Sequence, residues 1–124
     1  MPANKRFNLG PVALTTVYTT NILNPPTAAG GVGAGASGNY VLIYQIKVVN
    51  KTAVAATFRL FKGATGGNVA GTEIEVDKTV PANDEVNLYF QAGLRFDVGD
   101  FLVGGAGTTL ALVVTANGEI GVAG

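Results

Sequence analysis

Between Thr72 and Val103 the chain alternates so regularly that it can only be built from strands. Thr72-Glu-Ile-Glu-Val-Asp77 sets acid against apolar with a period of two, and Val80-Pro-Ala-Asn-Asp84 reads as a turn. Glu85-Val-Asn-Leu-Tyr-Phe-Gln91 alternates again, with Val86, Leu88 and Phe90 on one face. Asp97-Val-Gly-Asp100 is a second turn, and Phe101-Leu-Val103 opens a further apolar strand. Strict alternation bounded by Pro, Asn, Asp and Gly belongs to half-buried antiparallel strands.

The rest of the chain fits the same pattern. Residues 1–11 are polar and mixed and end in Gly10-Pro11, so they read as an extended N-terminal arm ahead of a domain at 12–124. The β-branched run Val12 to Thr20 reads as a first strand, stopped by Asn24-Pro-Pro26. The Gly/Ala segment 28–38 has no apolar periodicity and reads as a loop. Tyr40 to Asn50 is the strongest strand. A simple period of two puts Tyr40, Leu42, Tyr44, Ile46 and Val48 on one face and Val41, Ile43, Gln45, Lys47 and Val49 on the other. After a turn at Asn50-Lys-Thr52, Ala55 to Lys62 is expected to pair back as a hairpin with Phe58 and Leu60 inward. Strands at 72–77, 85–91, 94–96, 101–103 and 108–116 follow, and Glu119 to Val122 is expected as an edge. Turns every 8–12 residues and no helical pattern predict an all-β fold, a single jelly-roll-like antiparallel β-sandwich of about eight strands.

Composition narrows the function classes. A chain of 124 residues is one domain, and its 12.6 kDa predicts a folded surface of about 6,000 Å². Eight basic and eight acidic residues balance to zero, which provides no electrostatic footprint for nucleic acid or an anionic membrane. Only 13% of residues are charged, against about 25% in ordinary domains, and mean hydropathy is +0.35. So little polar surface predicts a homo-oligomer. The absence of Cys and His removes thiol chemistry, the commonest general base and the commonest metal ligand. No apolar stretch follows Lys5-Arg6, so no signal peptide is expected, and no run reaches the ~18 apolar residues of a membrane helix.

Several motifs could carry chemistry, and each has a plainer reading. Gly33-Ala-Gly-Ala-Ser-Gly38 matches a dinucleotide fingerprint by letter, but it precedes a strand rather than opening a helix. Glu73, Glu75 and Asp77 share a strand face and could be a carboxylate pair or a calcium site. The plainer expectation is a solvated face, or ion pairs with Lys47, Arg59 or Lys62. Asp97 and Asp100 read as turn residues. Tyr18, Tyr40, Tyr44 and Tyr89 could form a stacking platform, though sandwich tyrosines are commonly core residues. Asn50-Lys-Thr52 fits the glycosylation pattern by coincidence. No catalytic residue, cofactor or metal is expected, and the chain is not expected to be an enzyme. Lys5, Arg6, Phe7 and Leu9 of the arm are the candidate partner-binding residues.

Some of these segments resemble a family of small tailed-bacteriophage virion proteins. The similarity runs through Leu14-Thr-Thr-Val-Tyr-Thr19, then Ile46-Lys-Val-Val-Asn50 leading into Ala55-Ala-Thr-Phe-Arg-Leu-Phe61. It continues in Val80-Pro-Ala-Asn-Asp84, Leu94 to Asp100 with its Val98-Gly-Asp turn, and Leu112-Val-Val-Thr115. The Gly/Ala insertion at 28–38 departs from that pattern. The resemblance implies a capsid cement, or decoration, protein. It would be a homotrimer made in the host cytoplasm, bound to the major capsid protein on the virion surface and bridging capsid subunits. The arm would be its tether. The alternative is a receptor- or glycan-binding module of a phage tail or fibre, which should display exposed aromatics beside Asn, Asp or Gln.

Overall fold

The computed structural model describes residues 5–23, 39–64, 66–68, 70–96, 100–108 and 111–122. Every regular element among them is a strand: β1 (Lys5–Ala13), β2 (Thr20–Leu23), β3 (Asn39–Asn50), β4 (Ala56–Gly63), β5 (Glu73–Val80), β6 (Glu85–Phe96), β7 (Phe101–Ala106) and β8 (Leu112–Val122). They form two four-stranded antiparallel sheets, a first in the order β1-β8-β3-β6 and a second in the order β2-β7-β4-β5. The accessible surface of 6255 Å² is close to the area expected from the mass.

The sheets pack face to face on one apolar core. Val41, Ile43, Ile46, Val48, Phe96, Leu112 and Val114 come from the first sheet, and Ile22, Leu23, Phe58, Leu60, Val80 and Leu102 from the second. Phe58 and Leu60 are fully buried, as their alternation requires, while Leu88 and Phe90 are half-buried and pack against the core edge. The fold is therefore an all-β sandwich, with alternation supplying one apolar face per strand.

Among the connections of which some part is described, only β4–β5 stays within a sheet, and the others cross between sheets. Four of these crossings, β1–β2, β3–β4, β5–β6 and β7–β8, gather at one end, where main-chain hydrogen bonds knit them together, and β6–β7 crosses at the other. Leu14 donates to Leu112 (3.0 Å) while its neighbour Thr15 accepts from Ala106 (2.9 Å), so adjacent residues attach to opposite sheets. Lys51 donates to Ala111 (3.2 Å) and Asn83 to Thr52 (2.9 Å).

Five expectations change. The described part of the 1–11 arm is not free: β1 begins at Lys5 and pairs with β8 from Lys5↔Ile120 to Ala13↔Val113. Gly10-Pro11 looked like a boundary, but it sits in a bulge between Leu9 and Val12 on an edge strand, where a missing N–H is tolerated. The strand expected over 12–20 is broken at 14–19, where the chain changes sheets and Tyr18 adopts φ +49°. β3 and β4 are not a hairpin, because they lie in different sheets. The segments 85–91 and 94–96 are one strand, and Glu119 to Val122 continues β8 rather than forming its own edge.

Neither simple face assignment of β3 survives. Val41 and Ile43 are buried, and then Ile46 and Val48 are. Tyr44 is the extra residue between the pairs Ile43↔Gly118 and Gln45↔Asn117, and a bulge of this kind reverses the phase. The close approach requires glycine at 118, because a Cβ there would sit on the Leu42 carbonyl oxygen.

Candidate functional site

The bulge shapes the outer face of the first sheet. β8 lies between β1 and β3. Two adjoining hollows run over it, about 580 Å³ and about 230 Å³ in volume, sharing Asn8 and Asn117 in their walls. The larger is lined by Arg6, Asn8, Tyr44, Asn117, Gly118 and Glu119. The smaller brings in Gln45, Lys47 and Thr115. Beyond the bulge the phase reversal turns Gln45 and Lys47 outward, and the register sets Gln45 between Asn117 and Tyr89.

These side chains form a hydrogen-bonded ladder across three strands. Asn117 Nδ2 donates to Gln45 Oε1 (3.0 Å), and Gln45 Nε2 donates to Asn87 Oδ1 (2.9 Å). Asn87 Nδ2 then donates to Glu85 Oε2 (3.2 Å), which also pairs with Lys47 Nζ at 3.2 Å. At the other end Tyr44 Oη donates to Glu119 Oε2 at 3.4 Å. Partial burial and the nearby Glu119 charge raise the Tyr44 phenol above its ordinary value, so it stays a protonated donor at neutral pH. Tyr89 projects from β6 with 72% of its surface exposed.

Of the arm residues, Arg6 is exposed and lines the groove, opposite Glu119 in the β1–β8 register. Leu9 is not an available anchor, because it packs against the core. The side chains of Lys5 and Phe7 lie outside the described residues; their backbones pair with Ile120 and Gly118.

Of the acidic candidates, Asp77, Glu73 and Asp100 take structural partners. Arg59 grips Asp77 bidentately, Nε to Oδ1 at 2.7 Å and Nη2 to Oδ2 at 2.9 Å, and stacks over the Tyr18 ring at 5.1 Å. The Arg59 hydrogen bond lowers the Asp77 pKa, and the same contact raises that of Arg59. Gly105, facing Arg59 in the ladder, makes room for Tyr18: a Cβ there would lie 2.6 Å from the Tyr18 Cα. Glu73 accepts the Gly71 N–H at 3.1 Å, and Asp100 lies 3.9 Å from Lys62. Among the described residues no group of three or more His, Cys, Asp or Glu gathers as a metal site. Asp97 and the Gly33–Gly38 motif lie outside the described residues. The four tyrosines do not form one platform. Tyr18 is stacked under Arg59 on the second sheet, and Tyr40 faces Arg95 at 4.0 Å.

Simple alternation missed the ladder. Its one signal was Gln45, a neutral polar residue in an otherwise apolar strand. Comparison with known proteins finds no matching family model, no matching curated protein and no matching solved structure.

Proposed function

We propose that this chain is a structural virion protein with a jelly-roll sandwich. It binds the outside of a phage capsid and bridges subunits of the major capsid protein, as a homo-oligomer with a trimer favoured. The observation that carries the reading is the pairing scheme. β1 pairs with β8, β2 with β7, β3 with β6 and β4 with β5, all antiparallel. That is the pattern of one long hairpin folded over and rolled into two sheets. Rolled sheets of this kind recur in viral capsid and lectin domains. The resemblance of the 14–115 segments to small phage virion proteins selects the virion among those uses.

With β1 paired into the sheet as an edge strand, attachment falls to the loops and faces rather than to a tether. The end where the crossings gather bears Val17 and Val54, 61% and 71% exposed. Apolar side chains of this kind suit contact with another protein surface. Many copies, each weakly bound, would together resist capsid expansion. The test is co-sedimentation of the purified protein with capsids lacking it, followed by electron microscopy of the decorated particles. Ordered extra density on the outer surface, weakened by Val17→Glu with Val54→Glu, is expected. Free protein left in the supernatant at every capsid concentration would sink the proposal.

A further inference from the structure

We infer that the groove over β8 on the outer face of the first sheet is a binding site for a neutral oligosaccharide. This goes beyond capsid attachment and does not rest on it. The two adjoining hollows, about 580 and 230 Å³, fall within or near the roughly 300–1,000 Å³ typical of small-ligand sites.

The lining has the chemistry of a polyol site. A carboxamide presents donor and acceptor side by side, and so do two hydroxyls on adjacent ring carbons. The ladder uses one N–H of Asn117 and leaves it a second N–H and its carbonyl oxygen; Gln45 likewise keeps a second N–H. Because the ladder already fixes these amides, little side-chain freedom remains to be lost on binding. The ring of Tyr44 lines one hollow, and the exposed ring of Tyr89 stands beside Gln45 in register. Aromatic rings of this kind suit the apolar C–H side of a pyranose.

Charge and topology argue against other occupants. The cations lining the groove, Arg6 and Lys47, are balanced by Glu119 across from Arg6 and by Glu85 at Lys47, and Arg95 of the same face stacks on Tyr40 outside the lining, so the groove itself has little net charge to select an ion. Peptide strand addition needs a free sheet edge, and β8 is central. The middle of a protein–protein interface is typically apolar, whereas the middle of this face is amide.

The experiment is a titration of ¹⁵N-labelled full-length protein with maltotriose, mannotriose, chitotriose and, as a charged comparison, sialyllactose. At least one neutral trisaccharide should shift the side-chain amide signals of Gln45 and Asn117, with millimolar affinity. Gln45→Glu and Asn117→Asp keep the shape and remove a donor. Each should weaken that binding about tenfold or more, because a lost partner leaves sugar hydroxyls unmatched, with the backbone spectrum otherwise preserved. No response to any neutral sugar would overturn the site. So would binding unchanged in both variants, or a response to sialyllactose alone.

Discussion

Asn50 donates its side-chain amide to the main-chain carbonyl of Val80, 3.2 Å away, and so ties the end of β3 to the end of β5 across the sandwich. The same amide donates to Val54 O at 2.8 Å, and its oxygen accepts from the Thr52 N–H (2.9 Å) and hydroxyl (2.7 Å). Asn50 is only 1% exposed, and its polar atoms are satisfied. The amide that the Asn-Lys-Thr pattern offers to glycosylation is thus committed inside the fold. Asn50→Ala should cost about 2–3 kcal/mol, because the buried Val80 carbonyl loses its side-chain donor. Urea denaturation measures this, and a midpoint equal to wild type would show that the contact adds nothing.

Phe58 and Phe90 should separate. Phe58 is fully buried, so Phe58→Ala should cost about 3–5 kcal/mol. Phe90 packs at the margin, and Phe90→Ala should cost about 1–2 kcal/mol in keeping with its partial burial. Equal losses in chemical denaturation would contradict the burial pattern.

Removing residues 1–10 should destabilise the fold. The deletion takes away the pairs from Lys5↔Ile120 to Leu9↔Ala116, uncovers β8 as an edge and removes Leu9 from the core margin. A loss of about 3 kcal/mol or more is expected from the ladder bonds alone. Unchanged melting of the truncated protein would restore the independent arm.

Gly118→Ala should cost about 2 kcal/mol or more, because the added methyl meets the Leu42 backbone rather than a movable side chain. Its side-chain amide signals should also change, since the bulge that orients Gln45 has to shift. A variant with native stability and a native spectrum would refute the tight approach.

The Arg59–Asp77 contact predicts a pH effect. The folded-state pKa of Asp77 lies below its unfolded value, so its contribution is present above the unfolded value of about 3.8 and is lost as pH falls through the folded value. Asp77→Asn should therefore flatten the acid side of the stability curve below about pH 4 and leave the neutral-to-alkaline slope alone. Identical acid limbs for the two proteins would show that the pair is inert. Both partners are substantially exposed, so the effect should shrink in high salt.

Element type was legible in this sequence, and so was the phase of β4, but the phase of β3 was not. The alternation of 85–91 and the turn at 80–84 mark β6 and its entry correctly, because each residue's neighbours decide them. The outward turn of Gln45 depends on one extra residue, Tyr44, accommodated by Gly118 on a strand more than seventy positions away. No local pattern encodes that partner. Sheet membership was hidden for the same reason. The short connection at 51–55 could close a hairpin or cross between sheets, and only distant hydrogen bonds such as Lys51 to Ala111 distinguish the two. For the acids of β5 the sequence leaves open a solvated face or ion pairs with Lys47, Arg59 or Lys62. Arg59 and Asp77 do pair with each other, whereas Lys47 takes Glu85 instead.

The β1–β8 partnership has a mechanical consequence. Lys5 lies beside Ile120, so the start of the first strand and the end of the last leave the same corner. Tension applied at those two points would open the ladder one bond at a time, like a zipper, rather than shearing all of its bonds together. The sandwich should therefore yield at low force when pulled by its ends and resist far more when gripped through its faces. A sandwich of this topology would carry load safely only through its surfaces. Single-molecule pulling from the two ends, compared with pulling between cysteines introduced on β3 and β4, would show whether the two directions differ.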